Sequence, residues 1–143
     1  MWYRVLKALE TYFRSLPAFD HVTIQLGASA DVPETTVLVL LRGPGKTDDR
    51  SRNRRGEQTI FIDCWVTSSV QDALESRASG YLQLADLEDI TIDALRTFGH
   101  TPTVISDYHI TAKLGQIETD GDAYGTNVGS RIPLTITYTK TSP

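Results

Sequence analysis

Cysteine is all but missing from this chain, and its scarcity closes off several chemistries together. Cys64 stands alone among 143 residues, so no internal disulfide framework and no cysteine-rich metal site can be assembled. That usage suits a reducing compartment. Histidine is nearly as sparse: His21, His100 and His109 are scattered, with no metal-ligand spacing to another histidine, cysteine or carboxylate. Long apolar runs are lacking as well. The opening MWYRVLKALETYF is interrupted by Arg4, Lys7 and Glu10, which fits neither a secretory h-region nor a membrane span. The chain reads as soluble and cytosolic in origin.

Catalytic signatures are thin too. Asp107 and His109 lie two residues apart on an expected strand and would share a face, an arrangement that orients an imidazole. No Gly-x-Ser-x-Gly elbow or other nucleophile motif accompanies them. The pair therefore reads as a polar strand face. ETDGDAYG (118–125) has the acid and glycine content of a calcium loop, but not the alternating ligands closed by a glutamate that such a loop requires. Turn chemistry accounts for Asp120-Gly121-Asp122. Cys64 has apolar neighbours and reads as a small buried hydrophobe. No catalytic residue, no metal site and no cofactor is expected.

What the chain does carry is unevenly spread charge. The net is −4, yet residues 42–57 hold six basic side chains (Arg42, Lys46, Arg50, Arg52, Arg54, Arg55) against Asp48, Asp49 and Glu57, a local +3. The remaining eight basic and fifteen acidic residues leave a body of −7. Gly45-Lys46-Thr47 inside this segment resembles the end of a phosphate-binding loop, but the glycine that motif requires at position 40 is Leu40. No apolar residue follows to anchor the helix such a loop needs. Single-strand nucleic-acid binding pairs positive charge with stacking aromatics, and no aromatic lies between Arg42 and Gln58. The segment is read as a long basic hairpin loop, suited to docking on another copy, another protein or a polyanion. Its acidic counterpart is Asp86, Glu88, Asp89 and Asp93 on the second helix.

Along the chain, Trp2, Val5, Leu6, Leu9, Phe13 and Leu16 recur at helical spacing up to Pro17. Strands are expected at 21–26, 35–41, 58–67, 103–113 and 131–140. A second helix begins at Ser68 or Ser69, runs to about Phe98, and sets Val70, Leu74, Tyr81, Leu84, Ala85, Ile92 and Leu95 on one side. The order α-β-β-β-α-β-β predicts a single α+β domain over 1–143. It would be a two-layer sandwich, with two helices on one face of a mostly antiparallel sheet. One strand strains that picture. Ile60, Ile62, Cys64 and Val66 fill the helix-facing side, which leaves Phe61 and Trp65, flanking Asp63, on the opposite side. Aromatics left on an open sheet face mark an interface.

A short helix, a strand pair split by a long loop, and then TIFIDCWVTSSVQDALESRASGYLQLADLEDITIDAL resemble the tail terminator proteins of long-tailed bacteriophages. These are also called tail completion or head-to-tail joining proteins. The matching positions are Ile60, Ile62 and Trp65 on the strand, the polar Ser68 and Ser69, then Asp72, Ala73 and Leu74, with IPLTITYTK as the closing strand. The resemblance implies a non-enzymatic virion protein, assembled in the host cytoplasm and placed at the head-proximal end of the tail. Its copies would form a ring, a hexamer in that family, that caps the tail tube and ends its polymerisation. That ring would receive a neck or head-completion protein and let DNA pass through its lumen without sequence-specific binding. Another minor tail or neck component, or a small ligand-binding α+β domain, remains the alternative. The loop at 42–57 has no residue-by-residue counterpart in the family. It is expected to order on assembly.

Overall fold

The structure, a computed structural model, describes residues 1–27, 36–47, 55–67, 73–100, 103–105, 107–119 and 127–140. The apolar spacing noted above folds as α1 (Trp2–Ser15), which buries Val5, Leu6, Leu9 and Phe13. Its end is set by Pro17. The residue before a proline avoids the helical region, and Leu16 is extended at φ −90, ψ 125. A 3-10 turn at Pro17–Phe19 then sets the Phe19 ring edge-on to Phe13, with centroids 5.1 Å apart.

The sheet follows as β1 (Thr23–Leu26), β2 (Val37–Thr47) and β3 (Gly56–Thr67). After α2 (Ala73–His100) come β4 (Thr103–Ile105), β5 (Tyr108–Leu114), β6 (Glu118–Thr119) and β7 (Asn127–Lys140). The strand order is β1-β2-β3-β7-β5-β4, with β6 continuing the line of β5 along β7. Only β1 against β2 is parallel among the described pairs. Gly27, at φ 78 just past β1, holds a backbone conformation that side chains resist.

Both helices lie on one face, α1 over β1 and β2, α2 over β3, β5 and β7. They meet where the Tyr12 hydroxyl donates to the Ala94 carbonyl at 2.8 Å and the Tyr12 and Phe98 rings approach to 5.4 Å. Strand alternation feeds this layer with Leu38 and Leu40, with Ile60, Ile62, Cys64 and Val66, and with Ile132, Leu134 and Ile136, all essentially inaccessible to solvent. The architecture is the two-layer α+β arrangement expected, in the expected order of principal elements, with the short β4 and β6 added.

Four details differ from expectation. The stretch 103–113 is two strands folded back on each other, Thr103 opposite Ile110 and Ile105 opposite Tyr108. Asp107 therefore sits in the turn between them and shares no strand face with His109. β7 starts at Asn127, four residues before the strand expected at 131–140. The β2–β3 ladder also runs into the expected 42–57 loop as far as Thr47 opposite Gly56. Gly43-Pro44-Gly45 is an irregularity inside β2, where the register shifts between Arg42 and Gly45. The buried Gln58 amide stabilises that bulge by donating to the Gly43 carbonyl at 2.7 Å, supplying a bond the ladder omits. Finally, α2 buries Leu87, Thr91, Ala94 and Leu95. Ala85 is exposed, and Tyr81 and Leu82 are 50% and 65% accessible. Val70 lies outside the described residues, as do the Ser68 and Ser69 caps.

Candidate interaction surface

The face of the sheet away from the helices is built by β2, β3 and β7, with β6 at one margin. β3 supplies Phe61, Asp63 and Trp65. Val37, Val39 and Leu41 lie opposite on β2, and Gly129, Arg131 and Pro133 opposite on β7. Val37 and Val39 are buried, yet stand outside the contiguous core formed beneath the helices.

At the centre, Asp63 and Arg131 are directly paired in the ladder. The guanidinium donates Nε to Oδ1 at 2.8 Å and an Nη to Oδ2 at 3.0 Å, the two-pronged geometry that makes arginine–carboxylate pairs strong and directional. Asp63 is only 8% exposed. The hydrogen bonds to Asp63 raise the pKa of Arg131; partial burial opposes them, and the charges of Asp63 and Glu118 add to them. The same guanidinium lies 4.4 Å from the Phe61 ring centroid, a cation–π contact that shields part of that ring. Trp65 lies against Gly129, where an added Cβ would fall 2.7 Å from the indole. Both aromatics remain partly exposed. Beside them Asp63, Trp65, Glu118, Thr119, Ser130 and Arg131 line an open concavity of about 210 Å³, with two carboxylates against one guanidinium.

The basic segment lies at the far end of β3. Arg42 sits on the helix side, 4.4 Å over the Trp2 ring. Lys46 is 3.6 Å from the Glu57 carboxylate, and Arg55 is exposed. Lys46, Thr47, Arg55, Gly56, Glu57 and Thr137 border a second open concavity of about 230 Å³. Arg50, Arg52 and Arg54 lie outside the described residues. The acids of α2, at positions 86, 89 and 93, are exposed on the outer side of the helix layer.

The helix side of β3 carries no reactive group. Burial pushes the Cys64 thiol up to about 12, so it stays protonated and inert at neutral pH. Among the described residues no cluster of three or more His, Cys, Asp or Glu is arranged to hold a metal ion. Nor is any described helix long and apolar enough to cross a membrane.

Sequence reasoning placed Phe61, Asp63 and Trp65 on one strand face. It missed Arg131, Glu118 and Gly129, which complete that face. The available signal was Arg131 as the one charge in β7 before its terminal Lys140. Nothing local, however, told which residue of β3 it opposes.

No family model matches the chain, and no curated protein matches it. Among solved structures the chain is similar to one from the virion of the native gene transfer agent (GTA) particle. The TM-score is 0.60 at 13% identity, covering 95% of this chain and 93% of that one. At that identity the likeness is one of fold, and it extends over nearly the whole of both chains.

Proposed function

We propose that this chain is a structural virion protein of the tail-terminator type. Its copies form a ring that caps the completed tail tube, stops further addition of tube subunits, and presents the surface to which the DNA-filled head attaches. The observation that carries the reading is the near end-to-end fold likeness to a chain of a virion particle. It agrees with the tail-terminator resemblance of the strand-to-helix segment around Trp65. The unfinished sheet face supports it further. Partly exposed Phe61 and Trp65, with an ordered charge pair between them, form the apolar centre and polar fixing point common to protein interfaces. The ring is a hexamer in this reading, as in the family, with the tube protein and a neck protein as its other partners. The two open concavities bordered by described residues hold about 210 and 230 Å³, below the roughly 300–1,000 Å³ of ligand pockets, so neither of them favours a soluble-ligand domain.

The test is to add the purified protein to growing tubes of its own tail-tube protein and view the ends by electron microscopy. A ring at one end of each tube, with growth arrested there, is the expected result. Tubes that lengthen normally with bare ends would overturn it.

A further inference from the structure

We infer that the basic flank of α1 in one copy of this chain packs, in parallel, on the acidic outer face of α2 in the next copy. This inference rests on the ring reading above and names the contact that joins neighbouring copies.

Among the described residues the exposed large hydrophobic side chains are Tyr3, Tyr81 and Leu82, at 55%, 50% and 65%. All three stand on the helices, and the charges around them have opposite signs. α1 carries Arg4, Lys7 and Arg14 against Glu10, a net of +2. Between residues 79 and 99, α2 carries Asp86, Glu88, Asp89 and Asp93 against Arg96, a net of −3. Asp86, Asp89 and Asp93 are exposed and form no ion pair among the described residues. Apolar groups set among complementary charges suit an interface between copies. The helices also match in spacing. Tyr3, Lys7 and Arg14 stand at i, i+4 and i+11, which places them on one stripe. Leu82, Asp86 and Asp93 repeat that spacing. With the two helices side by side and parallel, Tyr3 packs on Leu82 while Lys7 meets Asp86 and Arg14 meets Asp93, over about 16 Å of helix. Glu10 and Asp89 share the intervening level, but Glu10 is already answered by Lys7 at 2.7 Å and Arg14 at 3.7 Å.

The two stripes cannot meet within one copy. Tyr12 is the residue of α1 that turns toward α2, donating to the Ala94 carbonyl and packing on Phe98. Arg14 reaches the other way, donating to the Ile24 carbonyl of β1 at 3.0 Å. The stripe of Tyr3, Lys7 and Arg14 therefore lies on the flank of α1 away from α2. On α2, Leu87, Thr91, Ala94 and Leu95 face the sheet, and Leu82, Asp86 and Asp93 lie on the opposite side of the helix. A contact between one surface and a different surface of the next copy is heterologous, and such contacts close into rings when the rotation permits. Pairing the flank of α1 with the outer face of α2 has this head-to-tail form.

The test is a charge exchange between separately purified chains. One carries Asp86→Lys with Asp93→Lys, at exposed positions, and the other carries Lys7→Glu with Arg14→Glu. Self-association is measured by sedimentation velocity at low salt, and rings are scored at tube ends by electron microscopy. Each reversed chain alone is expected to associate about tenfold or more weakly, because it sets like charge against like. Mixed in equal amounts, the two are expected to recover most of the loss, since each supplies the sign that the other now lacks. Leu82→Ser, at a position 65% accessible, is expected to weaken association by about threefold or more with an unchanged melting temperature. It reads the same contact should the α1 reversal fail to fold. Association and rings unaffected by the α2 reversal and by Leu82→Ser would overturn the helix contact while leaving the tail-terminator reading in place. Two folded, weakened chains that stay weak when mixed would overturn the pairing of α1 with α2. A wild-type chain that stays monomeric and leaves tube ends bare would remove both readings.

Discussion

Asp63 and Cys64 are consecutive residues of β3, and they face different worlds. Cys64 points into the layer beneath the helices, where Ile60, Ile62 and Val66 repeat its environment and nothing is accessible to water. Asp63 points the other way, into a face where burial is bought with a charge pair rather than with a second layer. The helix side is complete within one chain. The far side has buried valines, partly exposed aromatics and an arginine clamp, which together make a rigid, pre-organised platform without sealing it. A sheet face of that kind is stable enough to hold its shape and still has apolar area left for a partner.

The sharpest way to break this contrast is to truncate neighbours on opposite sides. Ile62→Ala removes a fully buried side chain and should lower stability by about 3–4 kcal/mol. Phe61→Ala, on the partly exposed side, should cost the isolated subunit about 1–2 kcal/mol and should weaken ring formation more than it weakens folding. Chemical denaturation of the two variants checks this. Equal losses would mean that both faces are core, and the platform reading would fail.

Next in size is the seat of Trp65. A methyl group at Gly129 would press on the indole face at 2.7 Å, so Gly129→Ala should force the ring to shift at a cost of about 2 kcal/mol. Tryptophan emission should shift to the red as Trp65 turns toward water, with Trp2 as an unchanged background. A variant with wild-type emission and stability would show that the ring is not held by its cross-strand glycine.

How much of this was open to sequence reasoning depended on the range of the interaction. α1 was legible because its apolar residues mark one stripe and Pro17 ends it. The helix-facing set of β3 was legible because alternation is a property of the strand itself. The stripe of α2 was not. Tyr81, Leu82, Leu84, Leu87, Ile90 and Ile92 spread apolar groups around the cylinder, and packing on β5 and β3 chose among them. The turn at Asp107 was hidden inside a run whose composition reads as one strand. The Asp63–Arg131 pair was least accessible, because β3 and β7 are joined through α2 and their register is a tertiary fact. The flanks of the 42–57 segment, 42–47 and 56–57, were read as loop because Gly43, Pro44 and Gly45 signal turns, whereas Gln58 and the bulge keep them in the ladder.

A pH experiment sharpens the claim that the helix side is dry. The Cys64 thiol has a folded pKa raised from 9.0 to about 12, chiefly by burial. The contribution is therefore fully present below pH 9, where both states are protonated. It declines as pH rises toward 12, because the unfolded thiol releases its proton while the folded one keeps it. The slope is about 1.4 kcal/mol per pH unit within that window. Comparing wild type with Cys64→Ala by urea denaturation between pH 8 and 10.5, the loss with pH should be steeper in the wild type. Parallel profiles would mean that water reaches the thiol.

The smallest expected effect concerns a buried hydroxyl on that dry side. Ser130 stands opposite Cys64 in the ladder, and its buried hydroxyl has no hydrogen-bond partner among the described residues beyond the weak one offered by the thiol. An unsatisfied buried hydroxyl is costly to desolvate, so Ser130→Ala should leave stability unchanged or raise it by about 1 kcal/mol. It removes one oxygen and leaves the backbone pairing of Ser130 with Cys64 and Thr119 intact. Thermal denaturation of the variant decides the point. A clear fall in melting temperature would mean that the hydroxyl has a partner, such as an ordered water at the seam of α2 and β7. The helix side would then be wetter than its apolar neighbours imply, and the contrast between the two faces of β3 would narrow accordingly.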